Sequence, residues 1–310
     1  MCTAIAISGS SMIFGRTLDL ERSYGERIVI APYGSNIGIG SLAHPKIIGS
    51  ATVSDGIPLF YDAMNEYGLC AAALNFPRSA VYLPEVSGKR NIPSYALIPT
   101  ILSECKSIDE ATELLNRTNI IGDSFSPDLP ATPMHWIVSD GRSSLVAEPL
   151  AGGLEVIAAP YGVLTNEPPY RYHLFNLESY RSLHPGSPEN RMLKYHSDDV
   201  LSGGMGAVGL PGDFSSPSRF VRAVYAREYT GSDCSEWGEV NRFFHVASTV
   251  SVPDGCSLTA DGRPSKTVYT SCFDATHMCY YVRTYASQSI TKISLDAYEC
   301  EIGITEIAMP

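Results

Sequence analysis

The sequence lacks the features that mark several common functional classes. Its 22 lysines and arginines are outnumbered by 33 acidic residues, which gives a formal net charge of −11. A phosphate-binding face needs clustered cations, so this balance argues against nucleic acid and against anionic membrane surfaces as partners. No apolar stretch reaches the roughly 18–20 residues that a membrane span requires. We therefore expect neither nucleic acid nor a membrane among its partners.

The spacing of the cysteines and histidines excludes the usual metal and disulfide frameworks. The eight cysteines show no C-x-x-C spacing, and the seven histidines show no paired ligand spacing. The sequence therefore predicts no metal site, and we expect no cofactor. No cationic segment followed by an apolar run opens the chain, so no secretory signal is predicted. The thiols are then expected to be reduced, and the protein to be cytoplasmic.

What remains has the composition of an ordinary soluble globular protein. Hydrophobic residues make up 44% of the chain and charged residues 18%, with a mean hydropathy near zero. We find no internal repeat and no composition break that would mark a linker. The sequence therefore predicts a single domain over residues 1–310.

Hydrophobic patterns predict strands and helices in alternating groups. A capping box, Ser107-Ile108-Asp109-Glu110, predicts the start of a helix that runs to Asn116. Ser216 and Pro217 are placed as the cap and first turn of another helix. Strands are predicted at 2–8, 12–16, 27–32, 37–42, 59–64, 68–74, 134–138, 143–148, 154–159, 265–273, 278–285 and 289–295, helices at 94–105, 170–180 and 236–249, and loops at 122–133 and 183–206. This order suggests two sheets with separate helical layers.

The first residues of the chain carry a candidate catalyst. Cys2 follows Met1, and an aminopeptidase removes Met1 when the next residue is small, so Cys2 would become the first residue. It would then hold a thiol and a free α-amine, with ordinary pKa values near about 8.5 and 7.7–8.0. A nucleophile activated by its own terminal amine is a known route to acyl transfer. The alternative is that Cys2 merely begins a buried strand, since free cysteine is among the most buried residue types.

Five further polar residues stand at positions that a purely structural account does not require. Arg16 and Asp19 follow a strand, and Asn75 and Asn166 each end one. Arg219 lies in a glycine- and serine-rich segment. Each has a structural explanation when taken singly, because asparagine caps turns and Arg–Asp pairs fasten loops.

Seven ordered sequence blocks, spread over nearly the whole chain, carry a family resemblance. The chain resembles the choloylglycine hydrolases, which include bile salt hydrolases and penicillin V acylases and belong to the N-terminal-nucleophile superfamily. The blocks are MCTAI at 1–5, FGRTLD at 14–19, DAMNEYGLCAAALNFP at 62–77, MHWIVSD at 134–140, GVLTNEPP at 162–169, GLPGDFSSPSRFVR at 209–222 and YTSC at 269–272. Seven blocks in order are far more specific than any one motif, and they favour the catalytic interpretation of Cys2.

The resemblance implies a fold, an activity and roles for the polar residues. The implied fold is an α+β, four-layer αββα sandwich in which Met1 is removed and Cys2 is the nucleophile. Asp19 is expected to hold the α-amine, and Arg16 to tune the thiolate by lowering its pKa. Asn166 and the backbone N–H of Asn75 are expected to form the oxyanion hole. Arg219 matches a further arginine near the nucleophile.

The resemblance also implies a substrate class. Penicillin V acylases resemble one another in having tyrosine where this chain has Asn75, so Asn75 favours the bile salt hydrolase branch and conjugated bile acids as substrates. Arg16 and Arg219 are candidates for the anionic end of such a substrate. The family further implies a homotetramer. Apolar residues expected to line the groove for the steroid are Leu18, Ile57, Phe60, Phe125 and Leu129.

Three alternatives stay open at this point. The first is a penicillin V acylase, or another N-acyl amidase, on the same scaffold. The second is a non-catalytic protein of the same fold that binds bile acids or lipids, in which Cys2→Ser would change nothing. The third is a papain-like Cys–His enzyme, which is disfavoured because no cysteine has the local sequence of that family.

Overall fold

The described residues form two large antiparallel sheets, a separate two-stranded pair and five α-helices. The computed structural model describes residues 1–40, 43–191, 202–231, 237–297 and 303–310. The strands are β1 Cys2–Ser8, β2 Met12–Leu20, β3 Arg27–Ala31, β4 Ile47–Ser54, β5 Ile57–Asn65, β6 Cys70–Asn75, β7 Arg90–Pro93, β8 Thr118–Ile121, β9 Met134–Ser139, β10 Ser144–Leu150, β11 Gly153–Ala158, β12 Val163–Leu164, β13 Ser257–Leu258, β14 Pro264–Asp274, β15 Cys279–Thr284, β16 Thr291–Ser294 and β17 Thr305–Ala308. The α-helices are α1 Leu97–Glu104, α2 Ile108–Asn116, α3 Tyr170–Leu177, α4 Ser216–Tyr229 and α5 Gly238–Ser248.

The first sheet is built around the N-terminal hairpin. Its order is β12-β1-β2-β14-β15-β16, and β13 pairs with β14. β1 consists of small and β-branched residues, which suit a strand covered on both faces. Its partner β2 begins after the turn at 9–11, and the register places Cys2 directly opposite Leu18. The first residue of β1 is thereby held deep in the sheet.

The second sheet runs β11-β10-β9-β6-β5-β4-β3-β17. β6 lies near its middle and is buried on both faces, which explains its run of small residues at 71–73. The three strands β9, β10 and β11 form an antiparallel meander, at the positions where the sequence predicts strands. A separate parallel pair joins β7 and β8.

The two sheets pack face to face and each carries helices on its outer face. One apolar cluster joins the first sheet, α4 and α5 to the inner face of the second sheet, including residues such as Ala4, Phe14, Met64 and Ala72. A second cluster joins the outer face of the second sheet to α1 and α2. The layer order is helix, sheet, sheet, helix, so the predicted four-layer αββα sandwich is confirmed.

Several local predictions need correction. The predicted strand at 37–42 is absent over 37–40, and residues 41–42 lie outside the described residues; the strand that pairs with β5 is β4. The cap of α4 is Ser215, whose side chain accepts the N–H of Ser218, and not Ser216. Parts of the predicted loop 183–206 and the predicted helix start at 236 also lie outside the described residues.

The other helix predictions match more closely. The helix expected at 94–105 is regular from Leu97, and Pro99 lies in its first turn, where its missing N–H costs no intrahelical bond. α2 begins at the predicted box, with Ser107 accepting the N–H of Glu110. Among the described residues, none of the helices combines the length and apolar character needed to cross a membrane.

Candidate active site

Cys2 lies at the start of β1, almost fully buried at 2% exposure. Residues directly opposite in an antiparallel pair point to the same side, and residues two apart along a strand share a face. The side chains of Cys2, Leu18 and Arg16 therefore share one face of the first sheet. Arg16 reaches backbone oxygens of the second sheet, so this face is the one between the two sheets. The thiol consequently projects toward the second sheet.

The guanidinium of Arg16 is buried between the sheets. Its Nη1 donates to the carbonyl of Ala73 at 2.6 Å and to that of Tyr61 at 3.1 Å. Burial lowers the pKa of Arg16, but the attraction of Cys2, Tyr269 and Asp62 outweighs it and leaves the pKa raised. Arg16 is therefore a permanent positive charge on the face that carries the thiol.

Asp19 lies on the opposite face of β2, toward the helices. Its carboxylate accepts hydrogen bonds from the hydroxyls of Thr267 at 2.7 Å and Thr17 at 3.3 Å. In the chain that still carries Met1, the terminal amine donates to the backbone carbonyl of Asp19 at 2.8 Å, and the N–H of Asp19 donates to the carbonyl of Met1 at 3.0 Å. Met1 thus extends the β1–β2 pairing by one residue, and its contact with Asp19 is through the backbone.

Arg219 comes from the first turns of α4 and is fully buried. Its Nη1 donates to the carbonyl of Cys2 and to the hydroxyl of Thr3, both at 2.6 Å, and lies 4.0 Å from Asp19. Its Nη2 donates to Oδ1 of Asn166 at 2.7 Å. Burial lowers the pKa of Arg219, and Asp19 and Cys2 oppose that shift. Arg219 therefore fixes the backbone of Cys2 from the helical side.

Asn166, directly after β12, connects these groups. Its Oδ1 accepts from the N–H of Cys2 at 2.8 Å and from Arg219, while its Nδ2 donates to the carbonyl of Asn75 at 2.8 Å. Because two donors face one end of the side-chain amide and a carbonyl acceptor faces the other, the first end is assigned as Oδ1 and the second as Nδ2. An amide nitrogen carries two hydrogens, and the carbonyl of Asn75 accepts one of them.

The family model described as linear amide C–N hydrolases, choloylglycine hydrolase family, matches residues 2–306. The chain belongs to the choloylglycine hydrolase family. It is thus a member of a family of enzymes that hydrolyse linear amide bonds, and the predicted resemblance is confirmed.

Individual choloylglycine hydrolases match over almost their whole length. A bile salt hydrolase/transferase of Lactiplantibacillus plantarum is 40% identical over 300 residues, which is 96% of this chain and 93% of the relative. One of Clostridium perfringens is 33% identical over 307 residues, 96% of this chain and 93% of the relative. The structure of the C2A mutant of conjugated bile acid hydrolase from Clostridium perfringens superposes with a TM-score of 0.92 at 31% identity, covering 100% of this chain and 97% of that one.

A more distant structure extends the fold comparison. Penicillin V acylase from Agrobacterium tumefaciens superposes with a TM-score of 0.76 at 21% identity, over 99% of this chain and 90% of that one. At this identity the likeness concerns the fold alone. It agrees with the stacked sheets described above.

The structure brings the six predicted catalytic residues of this choloylglycine hydrolase into one region. Direct contacts link Cys2 to Asn166 and Arg219, Asn166 to Asn75, and Arg219 to Asp19. Arg16 lies on the same strand face as Leu18, the residue opposite Cys2. Among the described residues, no group of three or more histidine, cysteine or acidic side chains is arranged to hold a metal.

The predicted groove residues are more dispersed. Leu18 lies directly beside Cys2. Phe60 is buried in the cluster on the outer face of the second sheet, with α1 and α2, while Ile57 is partly exposed at the start of β5. Phe125 and Leu129 are partly exposed in loop 122–133, where Phe125 packs edge-on against Tyr95 with ring centroids 5.3 Å apart. Of the five predicted groove residues, only Leu18 is placed next to Cys2 by the strand register.

Sequence reasoning missed the groups that hold the six residues in place. They include three threonine hydroxyls: Thr3 contacts Arg219, and Thr17 and Thr267 contact Asp19. Thr3 and Thr17 lie inside quoted sequence blocks, so their proximity to the site was available as a signal. Thr267 faces Asp19 only because β14 pairs with β2, which no local pattern reveals.

Proposed function

We propose that this choloylglycine hydrolase cleaves the amide bond of glycine- or taurine-conjugated bile acids, with Cys2 as the nucleophile. The observation that carries the proposal is the junction at Cys2, where Asn166 holds its backbone nitrogen and Arg219 its carbonyl. Relatives named for bile salts at 30–40% identity support the substrate class. The presence of Asn75, which favoured the bile salt branch in the sequence, supports it as well.

Removal of Met1 is the first step of the proposed mechanism. While Met1 is present, the nitrogen of Cys2 is an amide and cannot accept a proton. Once Met1 is gone the same nitrogen is an amine, already placed 2.8 Å from Oδ1 of Asn166. The residues over 2–310 would then act as one N-terminal-nucleophile domain.

The attack would be supported from both faces of the first sheet. Arg16 provides positive charge on the thiol face, and its Nη2 has no hydrogen-bond partner among the described residues, so it remains free to donate to the thiolate. All three nitrogens of Arg219 donate to protein oxygens, which leaves it to anchor the nucleophile and not to bind the substrate's anionic end.

The oxyanion would be held by Asn166. The second hydrogen of its Nδ2 is available for the tetrahedral intermediate, with the backbone N–H of Asn75 as the partner donor in our proposal. The thiolate attacks the carbonyl carbon, and the Cys2 ammonium protonates the leaving glycine or taurine nitrogen. Water, activated by the amine, then attacks the thioester and releases the bile acid. Some relatives are named bile salt hydrolase/transferase, and we extend the proposal to transfer, in which a free amine attacks the thioester in place of this water.

The remaining parts of the proposal concern assembly and location. We propose a homotetramer in the cytoplasm, as the family resemblance implies. Six cysteines among the described residues are free thiols, which supports a reducing compartment. Light scattering after size-exclusion chromatography tests the tetramer.

The proposed function is tested by product release together with intact mass. The protein is assayed on glycocholate, taurocholate and penicillin V, with and without added free amino acid to detect transfer. Loss of Met1 and rapid release of glycine or taurine is the expected result. Preferential cleavage of penicillin V would move the chain to the acylase branch. Binding of bile salts without turnover by a protein that begins at Cys2 would contradict the enzymatic proposal.

A further inference from the structure

The backbone of Asn166 is held as tightly as its side chain. Its N–H donates to the hydroxyl of Ser216 at 2.8 Å, and its carbonyl accepts from Nε2 of His173 at 2.8 Å. Ser216 lies at the start of α4, and His173 in the first turns of α3. Two helices therefore fix the peptide groups on either side of the Asn166 side chain.

His173 is a fully buried histidine that none of the assigned roles accounts for. Its ring stacks on Phe220 with centroids 4.9 Å apart and an interplanar angle of 20°. Burial lowers the pKa of His173 to about 4, so the ring is neutral at neutral pH and carries a single N–H. Nε2 faces the carbonyl of Asn166, which can only accept, so the hydrogen is assigned to Nε2. Nδ1 has no hydrogen-bond partner among the described residues.

A second buried histidine holds the preceding residue. Nε2 of His135 donates to the carbonyl of Thr165 at 3.1 Å, and its Nδ1 lies 3.0 Å from Oε1 of Glu148. Glu148 also accepts the N–H of Tyr170, the first residue of α3, at 3.0 Å. The carboxylate of Glu148 thus connects His135, which contacts Thr165, to α3, the helix that carries His173.

We propose that His173 is a positioning residue for Asn166: its Nε2–H fixes the Asn166 carbonyl and thereby aims the side-chain amide at the oxyanion. The proposal rests on the proposed function, since it concerns the same reaction. A misplacement of a catalytic group by about 1 Å can cost about a hundredfold in rate. Because the single donor comes from Nε2, a side chain that places an N–H at that point should replace the histidine.

Glutamine and asparagine provide the matched pair that tests the proposal. Both are neutral amides, but only the longer glutamine places its nitrogen where Nε2 of His173 lies. We expect His173→Asn to lower kcat about 10- to 100-fold with little change in KM, and His173→Gln to recover most of that loss. If His173→Asn does not fold, His173→Phe, which keeps the stack on Phe220, takes its place.

A double-mutant cycle separates positioning from general destabilisation. In an Asn166→Ala background the effect of His173→Asn on kcat should shrink to less than about twofold, because the group that it positions is gone. Thr118→Val is the stability control. It removes one buried hydrogen bond, from the Thr118 hydroxyl to the carbonyl of Leu114, in the separate β7–β8 pair, and should lower the unfolding midpoint without changing kcat.

The outcomes distinguish this proposal from the proposed function. Turnover by the wild type with equal losses for His173→Asn in both backgrounds would overturn the positioning role and leave the function intact. Equal activity of the glutamine and asparagine variants would do the same. If the wild type cleaves penicillin V and not bile salts, the cycle is run on penicillin V and decides the role of His173 in the same way. A processed wild type that cleaves no amide would overturn both.

Discussion

Replacement of Asn166 tests the centre of the proposed site. Its side chain makes three contacts of 2.7–2.8 Å, to the nitrogen of Cys2, to Arg219 and to the carbonyl of Asn75. Asn166→Ala removes all of them together with the free amide hydrogen. Asn166→Asp keeps an acceptor for Cys2 and Arg219 but loses both amide hydrogens. The pair therefore separates the donor function from the anchoring function.

The two variants should lose activity equally and stability unequally. Loss of one oxyanion donor costs about 2.7–4 kcal/mol of transition-state stabilisation, or about 10²–10³ in kcat, and both variants lose that donor. The alanine variant also leaves the buried Nη2 of Arg219 without its acceptor. An unsatisfied buried group costs about 1–3 kcal/mol, and more when it is charged. Asn166→Asp restores this acceptor, so we expect it to be the more stable of the two.

The assay is release of glycine or taurine over a range of conjugate concentrations, alongside urea unfolding of each variant. The structure predicts a fall in kcat with a smaller change in KM, since the oxyanion forms only after attack. A kcat for either variant within about tenfold of the wild type would refute the assignment of Asn166 as an oxyanion donor. Equal unfolding free energies for the two variants would refute the anchoring of Arg219 through Asn166.

Three further predictions concern other parts of the chain. Cys2→Ala should lose measurable hydrolysis, and so should a chain with an uncleaved extension before Cys2. If the protein were only a binding protein, calorimetry would show that these changes leave its affinity for bile salts unaltered. Burial lowers the pKa of His173 in the folded protein, so between pH 6.5 and 4 the unfolded chain binds a proton that the folded protein does not. Over this range the wild type should therefore lose roughly 3 kcal/mol of unfolding free energy relative to His173→Gln, as measured by urea unfolding. A difference between the two proteins that stays constant with pH would refute this prediction. Gly15→Ala should lower the free energy of unfolding by about 1–3 kcal/mol, because the added Cβ would lie 2.1 Å from the carbonyl oxygen of Ser271. An unchanged melting temperature would contradict this prediction.

The sequence predicted elements well where the determining contacts are local. α2 begins at its capping box because Ser107 accepts the N–H of Glu110 three residues on, which needs no partner from elsewhere. β4 was missed because its identity depends on β5. Its Gly49 lies so close to that strand that a Cβ would be 2.2 Å from the carbonyl of Asp62. Such a close approach is invisible in a hydrophobic pattern.

The same distinction applies to the site. Asn166 and Cys2 are separated by 164 positions, and Arg219 and Cys2 by 217, so no local pattern joins them. The ordered family blocks predicted these residues together, and the structure brings them into contact. His173 was not predicted, because the role that we propose for it depends on α3 and α4 meeting at Asn166. The sequence also offered Phe60 for the groove, whereas the structure packs it in the outer core of the second sheet.

The alternation of side chains along a β-strand accounts for the two arginines in the proposed mechanism. Along β1 the side chain of Cys2 projects between the sheets, while its neighbour Thr3 projects toward the helices. Arg219, from α4, reaches Thr3 and the backbone oxygen of Cys2, so in our proposal it acts on the position of the nucleophile. Arg16, on the other face, is the cation that we propose acts on the charge of the thiol. One side chain cannot reach both faces of a strand, so in the proposed mechanism anchoring and activation fall to separate cations.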